Sequence, residues 1–135
     1  MSAKISWMVY EDEAYLPYNT YMADGTYSTS EVITRRIQVW NNYQGVTSTD
    51  DVIDAKLVLS FKRYEDNFLL NLITIKSMSD GKIIEPVIDV DRAVYDFGTL
   101  HGSVGGTYKE FEMTIGPLPA NLRSELKSLI FYLDY

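Results

Sequence analysis

Apolar and polar side chains alternate along the segment 54–63. The apolar positions of this pattern are Ala55, Leu57, Leu59 and Phe61. The polar positions on the other side of the strand include Lys56, Ser60 and Lys62. Because successive side chains of a β-strand point to opposite faces, the pattern predicts a strand with one buried face and one solvated face.

Further strands are predicted along the chain, and several of them repeat the period of two. The segments concerned are 4–9, 33–40, 68–76, 83–88, 94–100, 111–115 and 128–135. Segment 68–76 is apolar on both faces, which predicts a central strand that forms a hairpin with the strand at 55–61. Pro86 predicts an edge position for 83–88, because proline cannot donate a hydrogen bond to a neighbouring strand.

About seven to nine short strands at this spacing predict an all-β fold in a single domain over residues 1–135. We expect an antiparallel Ig-like β-sandwich with Greek-key connections, and a jelly roll is the alternative. The tyrosine-rich segment 11–30 shows no period and predicts an extended loop or a pair of short edge strands. Leucines at helical spacing predict at most one short helical turn near 119–127.

Composition narrows the classes of function. The formal net charge is -7 at pH 7, and the basic pairs at 35–36 and 62–63 adjoin predicted strands, which argues against nucleic acid as a partner. Cysteine is absent, so we expect neither disulfides nor thiolate metal sites. The N-terminus lacks the apolar core of a signal peptide and no apolar run is long enough to span a bilayer. We therefore expect the protein to stay where it is made unless an assembly carries it out, and we expect no membrane partner.

Candidate catalytic groups are sparse. His101 is the only histidine, and no serine or cysteine nucleophile with a paired base is indicated. Residues 96–98 spell the Asp-Phe-Gly triplet of protein kinases, but no glycine-rich loop or catalytic loop accompanies it. We therefore predict a non-enzymatic protein. A small hydrolase that uses paired acids is the weakest of the three functions that we consider, after an interaction module and a carbohydrate-binding module.

Asp50, Asp51 and Asp54 cluster just before the strand at 55–61. Oxygen-rich loops of this kind hold calcium in many proteins. The spacing does not match an EF-hand loop, so we favour a solvated acidic loop and no cofactor. Calcium bound by these three residues is the alternative.

Aromatic residues are the remaining candidates for function, since the chain has eleven tyrosines. Tyrosine and tryptophan combine a large apolar body with a polar tip, which favours interfaces. The predicted interface residues are Trp7, Tyr15, Tyr18, Tyr21, Tyr27, Tyr132 and Tyr135. Trp40 and Tyr43 flank two asparagines near a predicted strand end, where they either stack on a sugar or, for Trp40, fill the core.

Two motifs carry a resemblance to a known class of module. Segment 36–45 ends a strand in Val-Trp-Asn-Asn with a glycine turn, and 51–59 follows with an Asp-rich bend and an Asp-Ala-x-Leu-x-Leu strand. Together with 97–102 and 111–119, these segments resemble the Ig-like and fibronectin-like modules of tailed-phage virion proteins. The resemblance covers roughly residues 32–135 and assigns no functional residue.

This resemblance implies a structural role in a virion that is assembled in the host cytoplasm. The expected protein decorates a capsid or associates with a tail, and its partners are capsid proteins, tail proteins or further copies of itself. The alternative function is a carbohydrate-binding β-sandwich module, assisted by calcium, with Trp40 and Tyr43 at the glycan site.

Overall fold

The computed structural model describes residues 2–11, 13–17, 25–26, 32–61, 69–89, 91–117, 125–126 and 129–135. These residues form twelve strands. They are β1 (Ile5–Glu11), β2 (Ala14–Pro17), β3 (Gly25–Thr26), β4 (Ile33–Asn41), β5 (Val52–Phe61), β6 (Ile73–Ser77), β7 (Ile83–Ile84), β8 (Val87–Asp89), β9 (Arg92–Leu100), β10 (Thr107–Ile115), β11 (Glu125–Leu126) and β12 (Leu129–Asp134). Within the described ranges the only helical element is one 3-10 turn at 69–72, and no helix there is long and apolar enough to cross a bilayer.

The strands form two main antiparallel sheets. The six-stranded sheet has the order β2-β1-β4-β10-β6-β7, and the four-stranded sheet has the order β12-β5-β9-β8. β3 and β11 form a separate antiparallel pair. The chain changes sheet between β4 and β5, between β5 and β6, between β7 and β8, and between β9 and β10, so most neighbouring strands are distant in sequence. The predicted all-β, antiparallel sandwich is confirmed, with more strands than expected because several edge strands are very short.

Both main sheets contribute to one hydrophobic core. Ile37 comes from β4, and Leu57 and Leu59 come from β5, on which the predicted alternation places them facing inward. Phe97 of the four-stranded sheet meets Phe111 of the six-stranded sheet edge to face, with ring centroids 6.3 Å apart. Because burial of a leucine side chain contributes about 1.5–3 kcal/mol, this shared interior holds the two sheets together.

The predicted hairpin between 55–61 and 68–76 is wrong. β5 pairs with β9 and β12, whereas β6 pairs with β7 and β10 in the other sheet. Leu69 and Leu70 are buried in the 3-10 turn that precedes β6. The apolar run therefore includes a buried turn, while β6 itself alternates between inward and outward positions. The turn predicted at 64–67 lies outside the described residues.

The predicted strand at 83–88 is two short strands instead of one. β7 is the edge of the six-stranded sheet and β8 is the edge of the four-stranded sheet. The chain crosses between the sheets at Glu85 and Pro86. The edge position predicted from Pro86 is confirmed, because the proline lies between two edge strands and outside both ladders.

Short strands lie in two further segments, 11–30 and 119–127. β2 and β3 are short strands within the tyrosine-rich segment 11–30, one of the two outcomes expected there. β11 lies where the helical turn near 119–127 was expected, and the other residues of that turn lie outside the described ranges.

Candidate functional site

An aromatic cluster lies on the outer face of the six-stranded sheet. Trp40 on β4 is directly opposite Tyr108 on β10, so both side chains project from the same face. Their rings stack with centroids 4.5 Å apart and an interplanar angle of 28°. Tyr43, in the loop after β4, contacts Trp40 edge to face at 4.9 Å. Tyr43 and Tyr108 are 40% and 50% exposed, so the cluster presents ring surface to solvent.

A charged network lies beside this cluster and centres on Glu110. Glu110 is opposite Gln38 in the register of β10 and β4. Its carboxylate lies 3.3 Å from a guanidinium nitrogen of Arg36 and accepts hydrogen bonds from the amide of Gln38, at 3.4 Å, and from the hydroxyl of Tyr15. The Glu110 side chain is only 19% exposed, and this burial raises its pKa above the ordinary value.

A second pair of rings borders the charged network. Tyr10 on β1 is opposite Tyr15 on β2, and their rings meet edge to face at 5.1 Å. The guanidinium of Arg36 lies 5.6 Å from the centre of the Tyr10 ring, which is a cation–π distance. Trp40 donates from Nε1 to Oε1 of Gln38 at 3.0 Å, which connects the ring cluster to the charged network. We call this outer surface the aromatic face; its residues are Tyr10, Tyr15, Arg36, Gln38, Trp40, Tyr43, Tyr108 and Glu110.

Asn41 fixes the end of the strand that carries the ring cluster. It is fully buried, and its Nδ2 donates to the carbonyl oxygens of Asp50 at 3.0 Å and Leu100 at 3.1 Å. Its Oδ1 accepts from the backbone N–H of Lys4 at 3.1 Å and from the hydroxyl of Thr49 at 3.4 Å. The two donors and both lone pairs of the amide are therefore used, and one side chain ties β4 to three other segments.

Asn42 holds the loop that follows. Its φ of 61° is in the left-handed region, which asparagine tolerates better than most residues. Its Nδ2 donates to the carbonyl oxygens of Thr47 at 2.8 Å and Ser103 at 3.0 Å. A side chain at Gly45 would collide with the Asn42 amide, so this position requires glycine. The loop that carries Tyr43 is thus held by defined contacts on both sides.

The three acids considered for calcium are not brought together. Asp51 accepts a hydrogen bond from the backbone N–H of Gly102 at 2.8 Å and lies 3.2 Å from Nδ1 of His101. These two contacts, the backbone one first, lower the pKa of Asp51. Asp54 adopts a φ of 51° where the register of β5 shifts. In the part of the chain that the structure describes, neither Asp50 nor its neighbours belong to a group of three potential metal ligands.

The predicted interface aromatics are spread over several surfaces. Tyr15 lies on the aromatic face, whereas Tyr132, on the four-stranded sheet, and Tyr135 are 43% and 62% exposed elsewhere. Trp7 is half-buried and packs against the hydrophobic core, and its role at an interface stays a prediction. The other candidates lie outside the described residues; they are Tyr18, Tyr21 and Tyr27.

The structure joins the two predicted sugar-stacking residues, Trp40 and Tyr43, and adds residues that the sequence interpretation missed. Tyr108 and Glu110 were missed because the predicted strand began at 111, whereas β10 begins at Thr107. The alternation continues N-terminally, since Tyr108 and Glu110 share the outward side with later polar positions of the same strand. Extending the pattern across the tyrosine would have revealed both residues.

Comparisons with protein-family models, curated proteins and solved structures gave no match for this chain. We therefore assign the class of protein from the fold and the surface of this structure. It is an antiparallel β-sandwich with an ordered aromatic and charged surface on the outside of its larger sheet. Such a surface suits stacking, hydrogen bonding and ionic contact with another molecule.

Proposed function

We propose that this chain is a non-enzymatic interaction module that docks on a protein assembly through the aromatic face. One observation carries the proposal: exposed Tyr108 and Tyr43 surround Trp40, beside the Arg36–Glu110 pair, on a single sheet face. Tryptophan, tyrosine and arginine are the residues most enriched in binding hot spots. Because contacts within the face already hold these side chains, docking orders few additional rotamers.

For the assembly itself we propose a phage virion, in which the chain decorates the capsid or belongs to the tail. The support is the similarity of segments 36–45 and 51–59 to the Ig-like and fibronectin-like modules of tailed-phage virion proteins. The antiparallel sandwich agrees with a module of this kind. An assembly of identical copies is the other partner that this face suits.

Particle fractionation tests the proposal. The tagged chain is expressed in its natural source, and particles are separated from free protein on a density gradient. We expect the wild-type chain in the particle fraction and the Trp40→Ala, Tyr108→Ala double variant in the free fraction. Tyr132→Ala removes an exposed tyrosine from the other sheet and serves as the matched control, which we expect to stay with the particles. A wild-type chain that is a monomer by light scattering and absent from every particle fraction would overturn the proposal.

Glycan binding is the second candidate, and one specific observation favours it. Trp40, Tyr43 and Tyr108 place three aromatic rings next to the amide of Gln38, which combines stacking surface with a hydrogen-bonding group. A glycan array probed with and without a chelator tests this candidate. Binding that is lost in Tyr108→Ala and kept in Tyr132→Ala supports it, and the absence of signal under both conditions rejects it.

A further inference from the structure

A groove with a volume of about 520 Å³ opens between the two main sheets, beside β9 and β10. Small-molecule sites typically enclose roughly 300–1,000 Å³, so the groove is large enough for such a ligand. Its apolar lining includes Leu57, Ile75, Ile84, Phe97 and Phe111. Tyr108 and Glu110, which belong to the aromatic face, also line the groove. The docking proposed above does not use this interior.

The groove exists because two ladders end early. β6 pairs with β10 only from Phe111 onward, so the described part of β10 before this residue has β4 as its only sheet neighbour. β8 pairs with β9 only over Arg92–Val94. From Tyr95 onward, no described strand pairs with that edge of β9. The two uncovered stretches face each other across the sandwich and form the walls of the groove.

Tyr95 lines the groove and carries a buried polar group. Its side chain is 0% exposed, and its hydroxyl is buried without a hydrogen-bond partner among the described residues. Burial, with a smaller contribution from the charge of Glu85, raises the pKa of Tyr95 to about 12. The hydroxyl is therefore protonated at neutral pH and has a proton to donate. A buried donor without an acceptor is unfavourable, and a bound acceptor would remove that cost.

Charged groups of both signs lie around the groove. Lys109 donates from Nζ to the carbonyl oxygen of Phe97 at 2.9 Å, and its ammonium lies 5.6 Å from the centre of the Phe97 ring. Asp96 and Glu110 also line the groove. Because a lysine is balanced by nearby acids, the groove has no strong preference for an ionic ligand.

We infer that the groove binds a small, uncharged, apolar molecule that carries one hydrogen-bond acceptor. The apolar part of this ligand contacts Phe97, Phe111 and Ile84, and its acceptor atom accepts a hydrogen bond from the Tyr95 hydroxyl. This inference goes beyond the proposed docking function, because it depends on the apolar lining of the groove and on Tyr95, although Tyr108 and Glu110 belong to both the groove and the aromatic face.

Titration with two probes of matched shape tests the inference. Acetophenone carries a carbonyl acceptor, whereas ethylbenzene has a similar shape and no acceptor. Binding of each is measured by protein-observed NMR titration to wild type, Tyr95→Phe and Ser79→Trp. Ser79 is an exposed residue that lines the groove, so a tryptophan at this position is expected to block entry without disturbing the core.

We expect wild type to bind acetophenone about fivefold more tightly than ethylbenzene, as one additional hydrogen bond predicts. Tyr95→Phe is expected to abolish this preference, Ser79→Trp to weaken both probes, and the control Tyr132→Phe to change neither. The inference is overturned if neither probe binds wild type, if the preference persists in Tyr95→Phe, or if binding is unaffected by Ser79→Trp.

Discussion

The outer faces of the two sheets differ, although the same alternation builds both sheets. On the six-stranded sheet, Trp40 and Tyr108 stack on each other, and Arg36 pairs with a carboxylate that is only 19% exposed. On the four-stranded sheet, Lys56 is opposite Asp96, and this ion pair is largely exposed, with side chains 43% and 83% accessible. Both sheets bury their inner side chains in the same core. The two sheets therefore differ in the side chains on their outer faces.

This difference separates the positions that hold the two sheets together from the positions that face solvent. Inward positions such as Leu57 and Ile37 are set by the shared core, and their replacement damages both sheets. Outward positions are free of that constraint, because strand geometry fixes only their direction. The concentration of rings and partly buried charge on one outer face is the feature on which we base the proposal of docking on that side.

The largest expected effect comes from the residue that supports the aromatic face. Asn41→Ala leaves four hydrogen-bonding groups without their partner in a buried site, and we expect a loss of about 3–4 kcal/mol in the free energy of unfolding. Urea denaturation measures this loss. Gln44→Ala, which removes an exposed amide from the loop that follows Asn41, is the control, and we expect a change below about 0.5 kcal/mol. Equal small losses for the two variants would show that Asn41 does not support the sheet end.

Removal of the stacked rings is expected to reduce binding and leave folding intact. For the Trp40→Ala, Tyr108→Ala double variant we expect a loss of about 2–4 kcal/mol in binding to the assembled particle, the range of a hot spot. Both this variant and the Tyr132→Ala control should remain cooperatively folded, because they alter outward positions and leave the shared core intact. Surface plasmon resonance on immobilised particles measures the binding. An effect as large in Tyr132→Ala would remove the distinction between the two faces.

The two ion pairs are expected to differ in their contribution to stability. Arg36→Ala leaves the half-buried carboxylate of Glu110 without its counter-charge, and we expect a loss of about 1–2 kcal/mol. Lys56→Ala breaks a largely exposed pair, for which we expect less than about 0.5 kcal/mol. Chemical denaturation of both variants at low and moderate salt checks the comparison. A larger loss for Lys56→Ala would contradict it.

The smallest expected effect is on the pH dependence of stability. Burial raises the pKa of Glu110 in the folded state above its ordinary value of 4.5. Ionised Glu110 therefore opposes folding at neutral pH, and stability from this group increases as the pH falls through the window just above 4.5. We expect Glu110→Gln to remove this increase, measured by urea denaturation at a series of pH values. Glu112→Gln removes a charge from the same strand and should retain the increase; parallel curves for all three proteins would contradict the assignment.

Much of the fold was predictable from the sequence because alternation reports which positions face inward. Alternation does not report which strands are neighbours, and the hairpin of β5 with β6 was wrong for that reason. The buried turn at Leu69 and Leu70 gives the same apolar signal as a central strand, and only three-dimensional packing separates the two.

The candidate site was predictable only in part. Trp40 and Tyr43 are close in sequence, so their proximity could be inferred from the chain. The stacking of Trp40 on Tyr108 depends on the register between β4 and β10, and long-range register is not encoded in a local pattern. The same limit applies to Asn41, whose four hydrogen-bond partners come from three segments separated along the chain.

Oxidative footprinting of the free chain and of the chain within its native particle tests the central claim most directly. Labelling of Trp40, Tyr108 and Tyr132 is quantified by mass spectrometry in both states. We predict that Trp40 and Tyr108 are strongly protected in the particle, while Tyr132 is labelled equally in both. Equal labelling of Trp40 and Tyr108 in the two states, or protection confined to Tyr132, would contradict the assignment of the aromatic face as the docking surface.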